Sequence, residues 1–352
     1  MKRVADHLSD VLSIVRPLTP LGVQLLDAHG CVLAEDVVAP WPLPQFDNSA
    51  MDGYAVRAED VRAATEDAPV ELPVVTDIAA GETERAAIGP GLAARIMTGA
   101  PMPAGADAVV PVEQTDGGTA RVKITLAAPV GRHLRRVGED VQAGDTVLAA
   151  GTFLGAAQIG LLAAVGKERV RVRPRPRVVV ISTGRELVEP GQPLDLGQIT
   201  DSNSFLLTTA AREAGAVAYR VAPVPDDERA LLGRIQDQLV RADMIVTSGG
   251  VSAGAYDVVK QVLSTVGTVT FDKVAMQPGM PQGFGTVGEE ATPIFTLPGN
   301  PVSAFVSFEV FVRPAIRKML GVSRLHRPSV KAVLQTTLRS PEGKRQFARA
   351  RW

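Results

Sequence analysis

The sequence predicts a multidomain α/β protein built on a three-layer parallel-sheet domain, with a β-rich inserted domain and a partial C-terminal β domain. Three observations predict it. From Pro174 onward, apolar runs such as "RVVVIST" alternate with helical stretches of 10 to 17 residues, the signature of βαβ units and a buried parallel sheet. Between Trp41 and about Ala128, short β-type runs are broken by Gly and Pro turns. Residues 321–352 carry strand-like runs, "VKAVLQTTLRS" and "KRQFARARW", with no closing element.

The elements follow in order. Residues 4–15 place Val4, Leu8, Val11, Leu12 and Val15 on one helical face. "GVQLLDAH" reads as a short helix, followed by a Gly turn and a strand. The insert, 41–128, contributes strands at "LPVVTDI", "AARIM", "ADAVVPVEQ" and "ARVKI". The flanking segments, 1–40 and 129–173, read as one discontinuous linker domain. The main domain, 174–320, is expected to hold strands at "RVVVIST", "AVAYRVAPV", "DMIVTSGG", "VTFDKVAM" and "PIFTLPG". Helices are expected at "DSNSFLLTTAAREAG", "DDERALLGRIQDQLVRA", "AYDVVKQVLSTV" and "PVSAFVSFEVFVRPAIRKMLG".

Composition narrows the function. The 37 basic and 38 acidic side chains nearly cancel, against the basic bias of nucleic-acid binders. The run Arg169–Arg177 is the local exception and reads as a strand with a solvated face. The one cysteine, Cys31, allows no internal disulfide, and the four histidines lack metal-ligand spacing. There is no signal-peptide core and no apolar run of spanning length. The reading is a soluble cytoplasmic protein without membrane or nucleic-acid partners.

In an open parallel sheet, ligands bind beyond the C-terminal strand ends. Four loops lie there: "STGREL" with Ser182, Thr183, Gly184 and Glu186; "PVPDDE" with Asp226; "TSGGVSAGAYD"; and "LPGNPVSA". The third, with Ser248, Gly249, Gly250, Ser252 and Gly254, combines mobile glycine backbone with a helix start, a phosphate cradle. Asp257 would repel phosphate unless a cation lay between them. Mg²⁺ held by Asp257, Glu186 and Asp226 resolves this; a simple N-cap role for Asp257 is the alternative. Pro298, Gly299, Asn300 and Ser303 form either a second anion cradle or a capped turn.

A further polar cluster, "FDNSAMDGYAVR", holds Asp47, Asn48 and Asp52. Together with "RIMTGAPMPAGADAVVPVE", "TSGGVSAGAYD" and "LPGNPVSAFVSF", it resembles the molybdopterin molybdenumtransferase family, the MoeA proteins and the gephyrin E domain. The resemblance covers nearly the whole chain. It implies a cytoplasmic, Mg²⁺-dependent transferase that inserts molybdate into adenylated molybdopterin, releasing AMP and molybdenum cofactor. It implies a homodimer, with residues 1–40 and 129–173 as its dimerisation domain. The cleft would lie between the α/β molybdopterin-binding domain of one copy and the "MDGYA" domain of the other. Molybdopterin adenylyltransferase and molybdoenzymes become candidate partners. By motif position it assigns Asp52, Thr98, Glu186, Asp226, Asp257, Lys273, Pro298 and Ser303 to the site. Asp47 and Asn48 fit either that site or an Asx-turn network.

Two departures stand out. The family's basic "KPGKP" segment reads "MQPGMP" here, with Gln277 and Met280 in the basic positions, so Arg345 or Arg349 is expected to contribute instead. The family's last β domain also continues beyond the position of Trp352. Both leave a second reading open, a catalytically weak scaffold or molybdopterin-binding protein on the same architecture.

Overall fold

The structure, a computed structural model, describes residues 1–82, 86–225, 227–249 and 258–350. Contacts divide the chain into two compact units. One comprises Met1–Glu35, Ala149–Gly160 and Lys167–Trp352; the other comprises Asp36–Leu148 and Leu161–Gly166.

The first unit is organised by a six-stranded sheet. Its spatial order is Val217–Val224, Arg177–Thr183, Met244–Ser248, Thr292–Leu297, Pro281–Val287, Thr270–Lys273. The first four strands are mutually parallel. Pro281–Val287 runs antiparallel to both its neighbours, so the sheet is mixed, not wholly parallel. The sequence reading missed this strand because "PQGFGTV" carries two glycines and little β-branched character.

Side-chain alternation along Arg177–Thr183 produces the three layers. Val178 and Val180 face one core, with Leu207, Phe295, Phe308 and Phe311. Val179 and Ile181 face the other, with Leu231, Ile235 and Leu263. Each of these buried apolar side chains stabilises the fold by about 1.5–3 kcal/mol relative to exposure. The first core also takes up Val4, Val11 and Val15, so the helix Val4–Ile14 packs into the α/β unit. The last helical stretch is not one α-helix. Pro301–Ser307 and Arg313–Leu320 are joined by a π-helical turn, Phe308–Val312. Pro314 lacks an N–H and crowds the carbonyl four residues back, which loosens that turn.

Two further expectations need correction. "GVQLLDAH" is not a helix: Leu21–Gln24 is a strand paired antiparallel with Arg169–Arg173, and a turn follows. Pairing across the chain overrides local propensity there. In Arg169–Arg173, Val170 and Val172 are buried while Arg169 and Arg171 face outward. Nor is "VKAVLQTTLRS" a strand, because nothing among the described residues pairs with it. Among the described residues of that tail, only Arg345–Gln346 is extended and paired, alongside Met276–Gln277.

The second unit holds a five-stranded sheet, ordered Ala108–Pro111, Gly53–Val56, Ala93–Ile96, Val70–Ile78, Arg121–Ile124. Tyr54, Val56 and Val110 pack on one face with Leu72 and Val122. Ala55, Val109 and Ile96 pack on the other. Gly53 begins the wholly buried strand, and a Cβ there would lie 2.0 Å from the Val110 carbonyl oxygen. Only glycine fits, so the strand starts directly after Asp52. Among the described residues no helix is long and apolar enough to cross a membrane.

Candidate functional site

Each unit carries one polar centre. In the β-rich unit, exposed Asp52 accepts through Oδ1 from the Thr98 N–H at 2.7 Å and the Thr98 hydroxyl at 2.9 Å. The Thr98 backbone N–H, and then its hydroxyl, hold the Asp52 carboxyl below the usual carboxylate range. Oδ2 makes no hydrogen bond to a described residue and remains presented. Its neighbours do otherwise. Asp47 is tied to Arg136 Nη1 at 2.8 Å and to the Val137 N–H at 2.8 Å. Buried Asn48 donates to the Phe46 carbonyl at 3.0 Å. Of the three polar side chains in this stretch, Asp52 is the one offered outward.

In the α/β unit, three adjacent parallel strands end side by side at Thr183, Ser248 and Leu297. The backbones beyond them approach closely. Gly249 has φ +100°, and a Cβ on it would lie 2.6 Å from the Thr183 carbonyl oxygen. A Cβ on Gly299 would sit 3.8 Å from Gly249 Cα. Such crowding of side-chain-free backbone is what a loop needs to bring N–H groups against an anion.

The individual candidates fall into distinct roles. The Ser182 hydroxyl is buried and donates to Asp201 Oδ1 at 3.0 Å; Thr183 is buried and reaches the Ser248 carbonyl at 3.4 Å. Glu186 is exposed, its carboxylate lying over Gly184, where a Cβ would come 2.6 Å from Oε2. Pro298 is buried, while Gly299 and Asn300 are exposed. Asn300 caps the following helix, accepting from the N–H groups of Val302 and Ser303, each at 3.1 Å, and the Ser303 hydroxyl donates to it at 3.3 Å. Lys273 is exposed at the end of the outermost strand, two strands from Leu297, a lateral distance of roughly 10 Å. Asp226, Gly250, Ser252, Gly254 and Asp257 lie outside the described residues. Among the described residues, no cluster of three or more His, Cys, Asp or Glu could hold a metal.

Of the two basic replacements expected near "MQPGMP", Arg345 lies beside it. The Arg345 N–H donates to the Ala275 carbonyl at 2.9 Å, and the Phe347 N–H to the Gln277 carbonyl at 2.8 Å. Arg349 is exposed and outside any paired strand.

The segment after the loop strand Ile199–Thr200 was missed by sequence reasoning. Fully buried Asp201 accepts from Ser182, from the Ser204 N–H at 3.1 Å and from the Ser204 hydroxyl at 2.5 Å, with Arg220 Nη1 3.7 Å away. Arg220 in turn grips both oxygens of Glu189 at 2.8 Å and lies 4.3 Å over the Phe205 ring. Asn203 donates to Ser248 Oγ at 2.8 Å and to the Gly299 carbonyl at 2.7 Å. In the sequence, "DSN" signals only a helix start.

This architecture has known counterparts. A model described as the MoeA N-terminal region (domain I and II) matches residues 2–166, and one described as a probable molybdopterin binding domain matches residues 179–318. Molybdopterin molybdenumtransferase 2 of Mycobacterium tuberculosis is 54% identical over 357 residues, covering 99% of this chain and 87% of that protein. The chain belongs to the molybdopterin molybdenumtransferase family. Molybdopterin molybdenumtransferase 1 of the same organism is 42% identical, covering 99% of this chain and 85% of that protein. Among solved structures, the molybdopterin biosynthesis MoeA protein of Pyrococcus horikoshii OT3 superposes with a TM-score of 0.75 at 30% identity, covering 98% of this chain and 86% of that one. The multidomain α/β architecture is therefore that of the molybdenumtransferase family.

Proposed function

We propose that this protein inserts molybdate into adenylated molybdopterin, releasing AMP and molybdenum cofactor. The observation that carries the reading is the meeting of Thr183, Gly249 and Gly299 at three neighbouring strand ends, in a chain 54% identical to a molybdenumtransferase throughout. Those backbones suit the phosphates of the substrate. Asp52 and Thr98 form a second, rigidly held acidic group for the same reaction. Lys273 would offset developing negative charge.

Mg²⁺ suits the donor set. Glu186, exposed at a strand end, is a hard carboxylate oxygen donor of the kind this ion takes, and Asp226 and Asp257 would complete its protein ligands. When bound, the ion neutralises phosphate charge. The chain's own residues would orient the phosphates through backbone N–H groups and hold the leaving nucleotide.

We also infer a homodimer in which Asp52 of one copy serves the strand ends of the other. Mixing an Asp52→Ala chain with an Asp257→Ala chain should restore part of the activity, since one centre per heterodimer would be intact. No recovery in proven heterodimers would argue against sharing.

The direct test is AMP release from adenylated molybdopterin, with and without molybdate and Mg²⁺. Wild type should release AMP only with both, and a folded Asp257→Ala variant should not. Tight binding of molybdopterin with no AMP release would favour the scaffold reading, which the uncharged Gln277 and Met280 support.

A further inference from the structure

We propose that Asn203 is a positioning residue that locks the two glycine turns together, so that both face the substrate's phosphates; this rests on the molybdenumtransferase reading above. The geometry fixes its role. The Gly299 carbonyl can only accept, so the amide nitrogen must face it, at 2.7 Å. The same nitrogen reaches Ser248 Oγ at 2.8 Å. Both amide hydrogens are therefore committed to two loops from neighbouring strands. Asn203 is 8% exposed, and its Oδ1 is buried with no partner among the described residues. A buried unpaired carbonyl is costly, and here the side chain keeps that orientation to hold both contacts.

The ladder between these strands ends at Ser248 and Leu297, with one further bond from the Gly249 N–H to the Leu297 carbonyl at 3.0 Å. Beyond it only the Asn203 amide ties Ser248 to Gly299 among the described residues. Asn203 itself is anchored. The preceding Asp201 accepts from Ser182 on the third strand and from Ser204, which fixes the start of the helix Asn203–Glu213. The stretch Asp201–Ser204 thus brackets all three strand ends. Asp201 does so by holding a strand to a helix, and Asn203 by holding two ligand-facing turns to each other.

The test compares Asn203→Ala, Asn203→Asp, Ser248→Ala and the Asn203→Ala/Ser248→Ala pair in full-length protein. Readouts are AMP release at varied adenylated molybdopterin and varied molybdate, with thermal unfolding alongside. Asn203→Ala should raise KM for the adenylated pterin by roughly tenfold, the size expected of two lost hydrogen bonds, and leave the half-maximal molybdate concentration unchanged. Ser248→Ala should raise KM in the wild-type background and add nothing in the Asn203→Ala background. If the alanine variant does not fold, Asn203→Asp carries the same test: it keeps the shape, turns an acceptor toward Gly299, and should lose at least as much. A merely structural role would lower the melting temperature and active fraction while KM stayed at the wild-type value, and that result overturns the proposal. So does full additivity of the two alanine substitutions. Wild type that releases no AMP would instead remove the enzymatic reading on which this inference stands.

Discussion

Replacing Asp201 by alanine should destabilise the α/β unit by about 3–5 kcal/mol, the range for breaking a buried ionic network by removing one member. The carboxylate is fully buried. Its removal leaves the Ser182 hydroxyl, 3.0 Å away, and the Ser204 N–H, 3.1 Å away, without acceptors. Each orphaned buried donor costs about 1–3 kcal/mol. Arg220 keeps Glu189, with both contacts at 2.8 Å, so its loss is partial. Asp201→Asn retains one acceptor oxygen and the shape, and should cost about 1–2 kcal/mol. The assay is urea unfolding followed by circular dichroism at a helical wavelength, because the long helices lie mostly in this unit. A 3–5 kcal/mol loss would remove a large fraction of a typical domain's stability of about 5–15 kcal/mol. A shift below about 1 kcal/mol, the scale of a surface substitution, would refute the network account.

Thr98→Val deletes a hydroxyl donor to Asp52 but keeps the backbone N–H. The Asp52 pKa should rise part of the way to the ordinary range, as read by carboxyl carbon NMR, and an unchanged titration would mean the hydroxyl bond is absent in solution. Because that pKa is depressed in the fold, the associated stability is present above the unfolded carboxylate value and is lost as pH falls through the folded one. His7, held neutral by burial and by nearby Lys2, behaves differently. The unfolded chain takes up a proton that the native state refuses, so stability should fall as pH drops below about 6.5, and His7→Leu should flatten urea midpoints between pH 7 and 5. Gln277→Lys with Met280→Lys adds two charges, each worth about 1 kcal/mol near a surface anion after screening, and should lower half-maximal molybdate roughly tenfold or more. If molybdate dependence does not move at fixed ionic strength, the oxyanion sits away from this segment.

The sequence is legible where a pattern has a period. The continuous apolar run Val178–Ile181 marks a buried parallel strand, and the alternating helices mark the layers. The antiparallel Pro281–Val287 was illegible because glycines at 283 and 285 replace the branched side chains that mark a strand; a Cβ at Gly285 would lie 2.5 Å from Val269 Cα. Leu21–Gln24 was misread because its partner lies some 150 residues away in sequence. The same distinction holds at the site. Gly249 and Gly299 are visible as punctuation in "TSGG" and "LPGNP". Asn203 and Asp201 act through a few buried side-chain hydrogen bonds, which leave no period and no composition bias. Ser182 looked available in the sequence, and only the fold shows its hydroxyl turned inward to Asp201.

The helix Val4–Ile14 bears on the order in which the protein can assemble on a ribosome. Its apolar face, Val4 and Val11, belongs to a core shared with Phe308, Phe311 and Ile316, which are translated some 300 residues later. At about 5–20 residues per second, that is a wait of roughly 15–60 s. The continuous stretch Asp36–Leu148 emerges meanwhile and already contains its own five strands. The nascent chain therefore carries its amphipathic leading segment well ahead of these aromatic partners, while the β-rich unit forms behind it and is completed by Leu161–Gly166.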